Sequence, residues 1–565
     1  MVIFVTVWIA LLVLGAPEPA HAVAGLGLQE PRFSFRHPAG PQFTESQKQA
    51  QRQAGQTVVP RVLEAFRKAA DSVRIPPGDY RFGQETWDAN WVIRAYPLEF
   101  KDLVRDAAHP FVIDATGATF WFDLENDQSQ FCHFCVGFRN CSHITFKGAT
   151  LDRGTRGHVE GRITLLDFTH NRIELELSSG ITVPDKFNQG IEQRVVPFKA
   201  DGRFCAPLYA LQAGGIHLKY QSITPGSAPN RVCVNFVDTA LLDQISDPSW
   251  TKAHGDLGVL RVGDGLSCIY TVSAAIELVH CKNLRIENLK VYIAKGWGAE
   301  WGGDGGHLWR NCYFGPRPGT SQWQGGEGFM FCATRHGPTV DHVTIMHTTD
   351  DAVNIHGYWG HINGIADNRV TFEPSLEFNR TVLHDLVVGD RLLFRDKATG
   401  QPLGSAPVSG VRGMTVTISG SAERFTNAIV EWPDHECAGW TIQNCDWHDN
   451  YQRLLIQSGP GTVRHCRFTR LGGAIELNTV MGYVEGSVPC DIRIEDNRFV
   501  SVASGLPASI SVYAQTFSNF MPSLIQRVCI TGNRFDRPKA AAIGLKGVTD
   551  CTVVNNRFHE GQRNQ

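Results

Sequence analysis

Trp309-Arg310-Asn311-Cys312-Tyr313-Phe314 sets a bulky apolar residue, a small residue three positions on and an aromatic five positions on. The same spacing returns at Ile442/Cys445/Trp447, Val463/Cys466/Phe468, Ile494/Asn497/Phe499, Ile530/Asn533/Phe535 and Val553/Asn556/Phe558, with weaker copies at Phe146/Ala149/Leu151, Ile286/Leu289/Val291 and Val340/Val343/Ile345. Neighbouring first members are 23 (286 to 309), 31 (309 to 340), 21 (442 to 463), 31 (463 to 494), 36 (494 to 530) and 23 (530 to 553) residues apart. A unit of that length cannot bury its own apolar face and must stack on the next one. The segments are short, β-branched or aromatic, alternate in polarity and are bounded by Gly, Asn and Asp, while helical periodicity is largely missing. The chain therefore reads as all-β: a right-handed parallel β-helix with aromatic and cysteine ladders inside and asparagines at the bends.

Two steps in the series are too long, 146 to 286 and 340 to 442, and each marks an insertion. The first, residues 153–273, carries a hairpin pattern in Arg162 to Phe168, a His170-Asn171 turn and Ile173 to Leu177. The second, residues 359–437, carries Val387 to Phe394 and Met414 to Ile418. Both read as antiparallel barrel-like subdomains, since strands of period two joined by short turns close on themselves to remove edges. The remaining divisions are residues 56–152 (cap and first coils), 274–358 (central coils) and 438–560 (last coils). Val62 to Ala70 reads as an amphipathic helix capping the open end of the solenoid, with Val73 to Tyr80 as the first strand.

The formal charge of -3 over 565 residues, with Lys and Arg scattered, gives no stripe for nucleic acid. No apolar run after the first residues is long enough to span a membrane. The run Val2 to Leu14 followed by Ala20-His21-Ala22 reads as a signal peptide cleaved after Ala22, hence a secreted or periplasmic protein. Cys312, Cys445 and Cys466 share one repeat position and read as buried ladder residues, and the single Cys132-x-x-Cys135 pair is a weak metal signal. No metal or cofactor is expected, and the oligomeric state is open.

Chemistry in a solenoid should show as a local excess of carboxylates, histidines and tryptophans on adjacent coils. Trp297, Glu300, Trp301, Asp304 and His307 lie on one coil, Trp323, Glu327, Arg335 and His336 on the next, and Asp350, Asp351, Asn354 and His356 on the one after. Glu327 precedes Asp350 by 23 residues (350 minus 327), about one coil. Stacked coils are about 4.8 Å apart, so these carboxylates should face one patch. Glycosidic hydrolysis needs a protonated carboxyl for the leaving oxygen and an ionised one for water or the anomeric carbon, and tryptophans offer flat faces to sugar rings. The same cluster is compatible with turn capping or a structural cation. Gln457, Glu476 and Asn478 reach the same groove from later coils.

Thr348-Thr-Asp-Asp-Ala-Val-Asn-Ile-His-Gly357, preceded one coil earlier by Gly326-Glu327-Gly328-Phe329-Met330-Phe331, resembles glycoside hydrolase family 110. The resemblance runs from about Ile75 to Phe558, with its specific motifs between Gly326 and Gly357. It implies an exo-acting, inverting α-1,3-galactosidase built on a β-helix with two barrels, acting on the non-reducing ends of glycans. It also implies Asp350 as general acid, with Asp351 and Glu327 polarising the attacking water. Glu327 stands where the family is expected to carry Asp, Met330 where it usually carries His, and Tyr483-Val484-Glu485 stands for its Trp-Tyr/Phe-Glu phrase. Inversion implies about 6.5 to 9.5 Å between acid and base. Two other classes share the architecture: a polysaccharide lyase, for which Arg335 is the basic candidate, and a non-catalytic carbohydrate-binding β-helix.

Overall fold

The computed structural model describes residues 43–83, 96–123, 133–153, 158–178, 183, 194–200, 220–236, 260–269, 273–292, 298–317, 328–348, 350–374, 382–450, 452–502, 508–519, 522–538 and 541–559. The expected signal peptide, Cys132, Trp297, Trp323 and Glu327 lie outside the described residues.

The chain winds into a right-handed parallel β-helix whose coils lay strands onto three sheets. Register turns the sequence repeat into columns. In one sheet Phe146, Ile286, Trp309, Val340, Ile442, Val463, Ile494, Ile530 and Val553 pair in succession. In a second, Leu151, Val291, Phe314, Ile345, Trp447, Phe468, Phe499, Phe535 and Phe558 do the same. The rings of Phe468, Phe499, Phe535 and Phe558 stack with centroids 5.0, 4.7 and 5.2 Å apart, the spacing that parallel strand pairing imposes. Both columns point inward and form the continuous core, except at the last coil, where Val553 and Phe558 are exposed.

Where the middle residue of the triplet is Asn or Cys, it solves a problem at the bend between these sheets, where a backbone carbonyl would otherwise go unpaired in the interior. Asn497, Asn533 and Asn556 each send Nδ2 to a carbonyl of the preceding coil, at Val463, Ile494 and Ile530, over 2.8 to 3.0 Å. Cys312, Cys445 and Cys466 direct Sγ to the corresponding carbonyls of Ile286, Val340 and Ile442 at 3.6 to 3.8 Å. Every described cysteine is free. The left-handed residue precedes the ladder residue, as at Asn311, Asn444, Asp496 and Asn555, so the bend asparagines fall into two kinds.

Two helices, rather than one, precede the first coil: α1 (Glu45–Gln56) and α2 (Val58–Arg67). Thr44 and Gln47 form a capping box at the start of α1. Val58 and Val62 of α2 bury against Val73 and Ile75, covering the apolar end of the stack.

The excursions leave the stack intact. Leu151 still pairs with Val291, and Val340 with Ile442. The first excursion contains a six-stranded antiparallel sheet, including the hairpin His158–Asp167 with Arg172–Leu177. The second is a closed barrel of six strands running from Gly360–Ala366 to Ala428–Glu431. Its core merges with Cys332, Ala333 and Tyr358 of the solenoid, so it sits on the outer face of the third, ten-stranded sheet.

Asn533 also accepts from the Asn497 amide and donates to Asn556, so truncation strands several buried groups. Asn533→Ala should cost about 1–3 kcal/mol and Asn533→Cys distinctly less, because the thiol keeps a donor for the Ile494 carbonyl. Urea unfolding of the two variants side by side measures the difference.

Candidate functional site

The ten-stranded sheet turns alternate residues outward, and its register assembles the site. Phe329–Cys332, Val353–His356, Leu454–Gln457, Ile475–Val480 and Ala508–Gln515 are consecutive rungs. Met330, Asn354, Leu455, Glu476 and Ser511 share one outward column. Cys332, His356 and Gln457 share the next, which Asn478 and Tyr513 continue. The barrel covers the second column at Cys332.

Asp350 and Asp351 enter this face just before Val353. Gly328 donates its N–H to the Asp351 carbonyl at 2.8 Å, and Ala352 donates to the Arg453 carbonyl at 2.8 Å. A Cβ on Gly328 would collide with the Ala352 carbonyl, so the approach requires glycine. Arg453 then bridges two carboxyls: its side chain lies 3.4 Å from Asp351 Oδ1 and 2.9 Å from Glu476 Oε2. Glu476 Oε1 accepts from Tyr513 Oη at 2.8 Å and from Asn478 Nδ2. Gln452 Nε2 donates to Asp350 Oδ1 at 3.0 Å, and Asn354 Nδ2 donates to Glu485 Oε2 at 3.1 Å.

Asp351, Asn354, His356, Gln457, Glu476 and Asn478 are buried, whereas Asp350, Gln452, Arg453, Glu485 and Tyr513 are half-buried around them. Burial pushes the Asp351 carboxyl well above the usual range; Arg453 opposes this, and the charges of Asp350, Glu476 and Glu485 reinforce it. His356 Nδ1 lies 2.7 Å from the Gly357 carbonyl, which can only accept, so Nδ1 carries the hydrogen and Nε2 is left facing away from it. That Nε2, Asn354 Oδ1 and Gln457 Oε1 are buried without a hydrogen-bond partner among the described residues. Buried polar atoms are nearly always satisfied, so these three have hydrogen-bonding capacity to offer water or a ligand.

The structure thus gathers seven expected residues: Asp350, Asp351, Asn354, His356, Gln457, Glu476 and Asn478. It adds Arg453, Gln452, Glu485 and Tyr513. Arg453 stands immediately before the Leu454-Leu455-Ile456 rung, and counting the coil register would have placed it beside Asp351.

Five others are corrected. Glu300 faces the solenoid interior in the column of Phe331 and Ile355, where Oε1 accepts from Trp309 Nε1 at 2.8 Å. Burial drives its carboxyl to about 8, with Trp309 opposing. His307 is also interior: Nδ1 accepts from the Leu284 N–H at 2.9 Å, and burial lowers the ring to about 3. Arg335 clamps the barrel to a solenoid turn, with both terminal nitrogens 2.8 Å from Asp390 oxygens, and His435 Nε2 lies 3.2 Å from the same carboxylate. Asp304 pairs with Lys282 at 2.6 Å on that turn, and His336 is exposed beside it. These groups were expected at the substrate; inward alternation or barrel docking places them elsewhere. Trp301 is half-buried and packs against the barrel core.

No family model and no curated protein matches the chain. Among solved structures, a polygalacturonase from Erwinia carotovora ssp. carotovora aligns over 94% of this chain and 97% of its own, at 9% identity and a TM-score of 0.33. PfbA, a surface adhesin of Streptococcus pneumoniae, aligns over 90% and 86% at 9% identity and a TM-score of 0.27. The catalytic unit of a GH87 α-1,3-glucanase from Streptomyces thermodiastaticus aligns over 95% and 70% at 9% identity and a TM-score of 0.21. Likeness at this level assigns no residue a role.

Glu300 gives a signed pH test. Its ordinary value is 4.5, and its folded value is about 8. Between these the folded chain keeps a proton that the unfolded chain has released. The stabilisation is therefore complete below the lower value and is lost as pH rises to the upper one, by at most about 1.4 kcal/mol per pH unit. Glu300→Gln should remove this loss, so the difference in melting temperature between variant and parent should shift in favour of the variant from pH 5 to pH 8.

Proposed function

We propose that the protein is an inverting exo-glycoside hydrolase that removes a terminal α-linked galactose, or a closely related neutral sugar, from glycans, as the resemblance to glycoside hydrolase family 110 implies. The observation that carries the reading is the buried Asp351 carboxyl, which burial and three neighbouring carboxyls push towards its protonated form while Arg453, 3.4 Å away, opposes them. Such a pairing of a retained proton with neighbouring negative charge is what a single-displacement glycosidase requires.

In this reading Asp351 gives its proton to the glycosidic oxygen as the bond to the anomeric carbon breaks. Asp350 takes a proton from the water that attacks the opposite face of the sugar ring, and the product leaves with inverted configuration. The Oδ1 atom of Asp350 is held by Gln452 and by the Asp351 N–H, which orients the carboxylate. Glu327, which directly precedes Gly328, is the further carboxylate assigned to that water. These roles for Asp350 and Asp351 reverse those implied by the resemblance, and burial is the reason. Arg453 and Glu476 position the acid, while Asn354, His356 and Gln457 offer their unpaired atoms to sugar hydroxyls. The lyase alternative wants a basic group free to accept a proton. Arg335 is committed to Asp390, and Arg453 is paired with Glu476 at 2.9 Å.

Leaving-group dependence separates the roles. Asp351→Asn should lower kcat on a natural α-galactoside by about 10²–10⁴-fold, and far less on a nitrophenyl α-galactoside, whose leaving group needs no proton. Asp350→Ala should be equally slow on both, and added azide should restore turnover with a β-azide product. The parent protein should release the β-anomer, as read by proton NMR. Sugar binding without release by the parent, or full activity in Asp351→Asn, would overturn the proposal.

A further inference from the structure

Outside the polar face, one cluster of metal-ligating groups stands where the barrel meets the solenoid. His280 follows the strand Ser273–Val279, and His384 and Asp385 belong to the barrel excursion, 105 positions away from His280 in the case of Asp385. His280 Nδ1 lies 3.0 Å from Asp385 Oδ2, and His384 Nδ1 lies 3.1 Å from Asp385 Oδ1. One ligand atom from each residue lies within 4.8 Å of the other two. Ligand atoms on a tetrahedral zinc ion, with bonds of about 2.0–2.1 Å, sit about 3.3 Å apart, so the nitrogens and oxygens are already close to ligand spacing.

The surroundings select for a cation. Among the described residues the two imidazoles are the ion-pair partners of the Asp385 carboxylate, and Arg335 meets only its main-chain carbonyl, at 3.1 Å. The Gly303 N–H donates to Oδ2 at 2.6 Å and fixes the orientation of the carboxylate, as an outer hydrogen bond does for a metal ligand. A Cβ on Gly302, whose φ is +63°, would collide with that same oxygen and come within 3.1 Å of His280 Nδ1, so the chain leaves this space to the carboxylate. The imidazoles stack at 4.2 Å, and His384, 66% exposed, leaves one side of the cluster open to solvent.

We propose that His280, His384 and Asp385 form a binding site for a zinc-class divalent transition metal that clips the second barrel onto the solenoid. The ion binds the neutral imidazoles and the carboxylate, with water completing its shell, and each bound ring gives up any proton on the ligating nitrogen. The clip is independent of the glycosidase reading, because none of its ligands belongs to the polar face.

The test uses the full chain, stripped with chelator and titrated calorimetrically with zinc chloride at pH 7.5, with cobalt(II) as an optical probe of ligand geometry. One ion per chain is expected, with a rise in melting temperature. His384→Ala removes an exposed side chain and should weaken zinc binding more than about tenfold without altering the metal-free melting temperature. Asp385→Asn should abolish the cobalt bands. Absence of saturable binding to the parent, or unchanged affinity and stoichiometry in His384→Ala, would overturn the proposal.

Discussion

Every other feature of this molecule hangs on the hydrogen bonds between parallel strands of successive coils. A single coil satisfies few of its own backbone groups and buries little apolar surface, so it exists only against its neighbours. Because pairing is in register, whatever occupies one position of a coil is set about 4.8 Å from its equivalents above and below. The interior becomes columns of one chemistry: stacked phenylalanines along one sheet, branched and aromatic residues along another, and a seam of asparagine and cysteine at the bend. The same rule acts outward, gathering Asn354, His356, Gln457, Glu476 and Asn478 from sequence positions more than a hundred residues apart.

Two carboxyls show how side, rather than residue type, decides chemistry. Glu300 and Asp351 are both buried and both keep a proton beyond the usual range, chiefly because burial disfavours the charge. Glu300 has hydrocarbon and one indole N–H around it, which makes it part of the core. Asp351 lies on the outer face among Asp350, Arg453, Glu476 and Glu485, where a proton can be exchanged with a neighbour or a ligand. A perturbed carboxyl is a catalytic candidate only when something stands ready to take its proton.

Much of this was legible in the residues. The apolar-small-aromatic triplet names the members of two columns, from Phe146 to Val553 and from Leu151 to Phe558, because tight bends hold their spacing constant. The third sheet carries no such triplet: the connections entering it vary in length, so its register could be followed only locally, around the Asp350-Asp351 phrase. Glu300 and His307 were misplaced because a charged or titratable side chain on a strand is normally solvated, and nothing in sequence shows that Trp309 and the Leu284 amide wait for them inside. Arg335 was misplaced because Asp390, its partner, lies 55 residues on, in an excursion whose docking is a tertiary matter. Arg453 and Tyr513 were missed for a similar reason, since their meaning appears only once the rungs are aligned.

The pairing of Val340 with Ile442 has a consequence in chain entropy. Closing a flexible loop of n residues costs about (3/2)RT ln n, so lengthening a connection from roughly twenty residues to roughly a hundred adds only about 1.4 kcal/mol. An excursion that folds into its own closed barrel and docks on the stack gains apolar burial of its own to set against that small sum. A parallel stack is therefore unusually tolerant of additions between rungs: the rung above finds the rung below whatever has been inserted between them, and elaboration of one face need not disturb the other two.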